Sequence, residues 1–104
     1  MKELRDKLQI SAGLENLTEN LVFQELHNFI EKIKNTPNSQ LCICSICLAD
    51  VAAIVLNDMK PQYCSNFIDK DKSKDYFNKH KLEVQVKIAK AFDMVKKNPH
   101  HANI

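Results

Sequence analysis

Three segments of this chain differ in the rhythm of their apolar positions. From Asn16 to Lys34, Leu17, Leu21, Phe23, Leu26, Phe29, Ile30 and Ile33 recur at roughly helical spacing, with Asn20, Gln24, Asn28 and Glu31 on the other side. That spacing predicts an amphipathic helix of about five turns. Asn16 or Thr18 is placed to cap its start. In "NTPNSQ", Pro37 biases Thr36 away from helical backbone and stops it.

From about Ile46 to Asn57 almost every side chain is apolar. This predicts a second helix, buried as the central element, with Ser45 as its N-cap. Asp50 and Asn57 are its polar exceptions, two turns apart and therefore on roughly the same edge. "DMKPQY" then breaks the helix at Pro61, and "YCSNFID" reads as extended, with at most one short strand. "DKDKSKD", residues 69 to 75, reads as a charged solvated loop. A last helix is expected over about Lys81 to Lys97, with Leu82, Val86, Ala89 and Phe92, or else Val84, Ile88, Ala91 and Val95, toward the core. Two overlapping stripes make a wide face, suited to contact with both its own core and a second subunit.

Composition narrows the architecture. A length of 104 residues has room for one domain with one modest core. One glycine and three prolines argue against a turn-rich β fold. The expectation is an all-α single domain of three to four helices over residues 13 to 104, preceded by an arm or short helix over residues 1 to 12. The formal net charge of +2 is too near balance to argue for nucleic-acid binding. The N-terminus lacks the apolar run of a signal peptide, and no run approaches the roughly eighteen apolar residues of a membrane span. The expected compartment is the cytoplasm, where thiols stay reduced.

That bears on "LCICSICLADVAAIVLNDMKPQYC", residues 41 to 64, which holds all four cysteines. Cys42, Cys44 and Cys47 form C-x-C-x-x-C, a spacing that points three sulfurs at one ion, and thiolates are the usual structural ligands of zinc. A structural zinc here would staple the loop to the central helix. Cys64 completes a set of four by count, but the intervening helix carries the chain about 18 Å away before it returns. His100 and His101 are rival fourth ligands if the last helix runs back toward the cluster; a water or no ligand is the remaining option. Plain core thiols and an iron–sulfur cluster are competing readings of the same cysteines. No nucleophile elbow, phosphate-cradling loop or metal-hydrolase helix is present, so the chain is read as having no catalytic residues.

The segment "CICSICLADVAAIVLNDMKPQY", with "NLVFQELHNFI" before it and "HKLEVQVKIAKAFDMVKKNPHH" after it, resembles the late-competence ComFB family of bacteria. Cys42, Cys44, Cys47, Asp50, Val51, Leu56, Asn57, Pro61 and Tyr63 carry the match, which covers about residues 16 to 101. The sequence departs from the pattern at Cys64, where an aliphatic residue commonly stands, and at Lys60, often a proline. The resemblance implies a small all-helical homodimer with zinc on the cysteines and no known enzymatic activity. It also implies, for some members, binding of cyclic di-GMP or cyclic di-AMP.

A cyclic dinucleotide presents two phosphates and two purines, so its site needs cations together with stacking or edge contacts. Lys87 and Lys90 on the last helix are candidates for the phosphates, Tyr63 for stacking, and Asp50 and Asn57 for a purine edge. The alternative is a dimeric zinc-binding adaptor that takes a protein partner and no small molecule. The lysines are then a solvated face, and the polar residues cap the turn.

Overall fold

The computed structural model describes residues 2–37, 40–65 and 73–97. Helix α1 (Lys2–Asp6) runs into a π-helical turn, Lys7–Ser11. Strand β1 (Glu15–Asn16) leads into α2 (Leu17–Lys34); α3 (Ser45–Asn57), β2 (Tyr63–Cys64) and α4 (Ser73–Lys97) follow. Gly13, the one glycine of the chain, turns the arm into β1 with φ of 69°, a region that costs any residue with a Cβ.

Helices α2 and α4 pack together, and α3 lies against both. Their shared core is built from Leu21, Val22 and Leu26 of α2, Cys47, Val51 and Val55 of α3, and Val84, Ile88, Ala91, Phe92 and Val95 of α4. Of the two stripes open to α4, the one containing Val84, Ile88, Ala91 and Val95 is buried, joined by Phe92, while Leu82 and Val86 are exposed. Phe29 stacks on Phe92 with ring centroids 4.8 Å apart, joining α2 to the C-terminal half of α4.

Four features differ from the sequence reading. Helix α4 starts at Ser73, not Lys81, and so takes up the end of the expected loop. The extra turns are anchored by Tyr76 and Phe77, which pack against the core, and Asp75 suits the positive end of the helix dipole. Second, the short strand at Tyr63–Cys64 has a partner: it pairs antiparallel with β1, Glu15 opposite Cys64 and Asn16 opposite Tyr63. Third, α3 is not enclosed. Its buried residues are Cys47, Val51 and Val55, at intervals of four, whereas Ile46, Ala49 and Ala53 are exposed because none of the described helices covers that side. Fourth, its N-cap is Cys44 and not Ser45.

Asn16 does two jobs at the start of α2. Its Oδ1 accepts from the Thr18 backbone N–H at 3.1 Å, capping the helix, and from the Gln62 N–H at 3.0 Å. The Leu17 N–H donates to the Gln62 carbonyl at 2.6 Å. Beneath this, the buried Thr18 hydroxyl bonds both the Lys60 carbonyl, at 2.7 Å, and the Tyr76 hydroxyl. One side chain of α2 thus holds the turn after α3 and the first turn of α4. Thr18→Val keeps the volume and strands these two partners. It is expected to lower unfolding free energy by about 1–3 kcal/mol with an unchanged denaturant slope, measured by urea unfolding.

Candidate metal centre

The thiol cluster is assembled by the start of α3. Cys44 has extended backbone, with φ −67° and ψ 160°, and its Sγ accepts from the Cys47 N–H at 3.4 Å. Its carbonyl accepts the Leu48 N–H at 2.9 Å, the first bond of the helix. The cap residue and a residue one turn on are thereby brought to the same side. Cys47 then falls on the buried stripe of α3, fully enclosed, while Cys42 and Cys44 stand at the surface. The three sulfurs lie within 4.8 Å of one another. Thiolates on a tetrahedral zinc with bonds of about 2.3 Å stand roughly 3.8 Å apart, so small side-chain rotations close the set around an ion.

The electrostatics of the free thiols separate them. The Cys47 N–H, donated to the Cys44 sulfur, favours the thiolate and lowers the Cys44 pKa, with smaller help from the Cys42 and Cys47 thiols. Burial pushes Cys47 up to about 12, reinforced by the Cys44 and Cys42 thiols beside it. A soft cation binding all three must therefore displace a firmly held proton from Cys47, and its charge supplies the compensation that the apolar surroundings do not.

Cys64 is not in the cluster. It is buried in β2 opposite Glu15, beyond the C-terminal end of α3, and the helix between them is about 20 Å long. The chain after Asn57 turns toward α2 through Lys60 and Gln62 and does not return along α3. The rival ligands His100 and His101 lie outside the described residues. The end of α4 does run back to the sulfurs: Val95 and Lys96 line a cavity of about 290 Å³ together with Cys42, Cys47, Leu41 and Phe92.

The residues considered for a nucleotide sit mostly at the opposite end of α3. Lys87 bonds the Asp58 carboxylate, lies 3.7 Å from Glu83, and reaches the Asp58 carbonyl at 3.4 Å. The Lys87 ammonium holds Asp58 below the usual carboxylate range, with Lys90 adding to the effect, and Asp58 in turn raises Lys87. Asn57 is exposed beside this pair, Lys90 is exposed one turn further along α4, and Tyr63 is exposed in β2. Asp50 is half-buried, two turns back along α3.

The structure adds residues that the sequence reading passed over. Tyr76, His80 and Glu83, with Asp58, Lys60 and Pro61, line a cavity of about 340 Å³ next to Lys87. The Tyr76 and His80 rings are 4.5 Å apart, and His80 Nδ1 lies 3.2 Å from Glu83 Oε1. Their spacing of four and three is a helical signal, readable once α4 is known to start at Ser73. Among the described residues, no helix is long and apolar enough to cross a membrane.

Comparison with known proteins agrees with this fold. The solved structure of the late competence protein ComFB from Bacillus subtilis superposes with a TM-score of 0.64 at 22% identity, over 84% of this chain and 92% of that one, and so shares its fold. No curated protein sequence is significantly similar. The sequence model of the family described as late competence development protein ComFB matches residues 15–99. With that match spanning most of its length, the chain belongs to the ComFB family.

Proposed function

We propose that this chain is a bacterial regulatory protein of the ComFB family that acts by binding: a homodimer with a structural zinc that receives a cyclic dinucleotide and passes the signal to partner proteins. The observation that carries the zinc is the triplet of Cys42, Cys44 and Cys47, already gathered within 4.8 Å at the first turn of α3. In this reading His100 or His101 is the fourth ligand, favoured because Val95 and Lys96 of α4 line the same cavity as Cys42 and Cys47. Zinc here acts mechanically. Cys47 belongs to the hydrophobic core, so an ion shared with Cys42 and Cys44 ties the preceding loop to that core.

The dinucleotide reading is supported by the cavity at the other end of α3. Its Tyr76 and His80 rings offer a stacking wall, and Asp58 and Glu83 offer carboxylates to the N–H edge of a purine. Lys60 lines the same cavity, and Lys87 and Lys90 lie at its edge, where a phosphate would be placed. A two-fold dimer suits the two-fold symmetry of the ligand. One observation favours the adaptor reading, in which no small molecule binds: Lys87 already has Asp58 and Glu83 as partners.

Two sets of measurements test this. Elemental analysis of freshly purified protein is expected to give about one zinc per chain, and returning zinc to chelated protein at neutral pH should release about two to three protons per ion. Cys44→Ser is expected to lower metal content and melting temperature together; full metal loss with unchanged melting would remove the stapling role. Calorimetric titration with cyclic di-GMP and cyclic di-AMP is expected to show one of them binding. At a hundredfold excess over Kd it should stabilise the fold by about 2.7 kcal/mol. Lys87→Glu with Lys90→Glu should abolish that heat without unfolding the protein. Silence from both ligands in zinc-loaded protein would leave the adaptor.

A further inference from the structure

Glu25 sits in the middle of α2 with only 3% of its surface exposed. Its carboxylate accepts from the Gln85 amide at 2.8 Å and from the Asn28 amide at 3.5 Å. Among the described residues no lysine, arginine or histidine pairs with it. Two amide donors leave a carboxylate's acceptor capacity half used, and an enclosed carboxylate without a cation is costly. Open space adjoins it on both sides. A cavity of about 520 Å³ lies toward Lys32 and Ile88, and another of about 210 Å³ toward Leu21 and Phe77. Glu25 and Lys81 line both, no residue of α3 lines either, and together they form a groove between α2 and α4.

A second feature of the chain is equally without a counterpart. No residue of Lys2–Ser11 is buried, and Leu4, Leu8 and Ile10 are exposed there at 54%, 43% and 78%. This arm precedes the family match, which begins at residue 15. It carries Arg5, the single arginine of the whole sequence, flanked by Leu4 on one side and Asp6 on the other, with Leu8 one turn after Leu4.

We propose that the N-terminal arm of one copy docks in the α2–α4 groove of a second copy, seating the Arg5 guanidinium on the Glu25 carboxylate.

Three matches support the assignment. The fork of a guanidinium suits the free side of a carboxylate, and Phe29 in the groove offers a ring face for the same cation. Ten helical residues span about 15 Å, and the groove from Leu21 to Lys32 along α2 spans about 16 Å. Both sides carry charges of both signs that can be matched: arm residues Glu3 and Asp6 meet a rim bearing Lys32, Lys74 and Lys81, arm residues Lys2 and Lys7 have Glu31 on the same rim, and Leu4 and Leu8 take the apolar floor. The occupant is a second copy because the arm stands clear of its own core, and self-association is part of the function proposed above, on which this inference rests.

Hydrogen exchange on the full chain, read at the amides of residues 2–11 at high and low protein concentration, tests the proposal. Protection is expected in the associated protein and should fade on dilution. Arg5→Glu and, separately, Glu25→Gln should each cut it about tenfold, with helix content by circular dichroism unchanged. Mixing R5E chains with E25R chains should restore protection that neither shows alone, since opposite charges then meet only between copies. Free exchange of the arm at every concentration would overturn the proposal. So would protection that does not depend on concentration, or protection that survives Glu25→Gln. Sedimentation equilibrium separates this failure from that of the dimer: a dimer with an unprotected arm keeps the assembly and discards the docking, whereas a monomer discards both.

Discussion

The placement of α3 depends on one stripe, Cys47, Val51 and Val55, buried against α2 and α4 and flanked by the partly buried Leu48, Ala52, Ile54 and Leu56. Three side chains at intervals of four make a ridge only two turns long, and the two valines contribute about 1.5–3 kcal/mol each through burial. Such a contact fixes where α3 lies but holds its ends weakly. The rest of the structure supplies the ends. At the C-terminal end, Thr18 grips the Lys60 carbonyl and Asp58 meets Lys87. At the N-terminal end, the sulfur of Cys44 caps the helix, and Cys47 links the core to the two exposed thiols.

These clamps respond differently to solvent. The Asp58–Lys87 pair is exposed, so screening keeps its contribution small. Its sign is nevertheless defined. Asp58 is lowered, so its share is present above the ordinary carboxylate range and lost as pH falls through the depressed value. Lys87 is raised, so its share is present below 10.5 and lost as pH rises through the elevated value. The Thr18 network is built from two hydroxyls and a backbone carbonyl, so salt does not screen it as it screens the ion pair. The thiols respond to pH in another way: burial pushes Cys47 up to about 12, so any ion bound there has to displace its proton.

How much of this the sequence reveals follows from which forces are local. The 3.6-residue period of α2 and the Cys-x-Cys-x-x-Cys spacing are local, and both read directly; of the two candidate caps, Asn16 and Thr18, the structure selects Asn16. The start of α4 does not read directly, because Ser73 to Asp75 belong to "DKDKSKD", which reads as a solvated loop until Tyr76 finds Thr18, fifty-eight residues away. Nor does the pairing of β1 with β2, which two residues on each side could never specify alone and which the Asn16 side chain and the Gln62 backbone hold in place. The same limit explains Cys64. Counting cysteines suggests a fourth ligand, while the direction of the chain after Pro61, set by Asn16 and Thr18, takes that sulfur to the other end of α3.

The uncovered side of α3 has a further consequence. A helix whose sequence is apolar almost all round normally lies inside a protein, yet here Ile46, Ala49 and Ala53 face outward. The α2–α4 groove around Glu25 is lined by no residue of α3, and the thiol cluster and the 340 Å³ cavity lie at the two ends of α3. The three helices pack pairwise around one shared core and leave these surfaces separate from one another. A core of three helices is too small to bury every apolar residue, so Ile46, Leu82, Val86 and Met94 stay at the surface. The clamps at the ends of α3 serve this surface as much as the core, because a helix buried along one side presents a constant outer face only if both its ends are fixed.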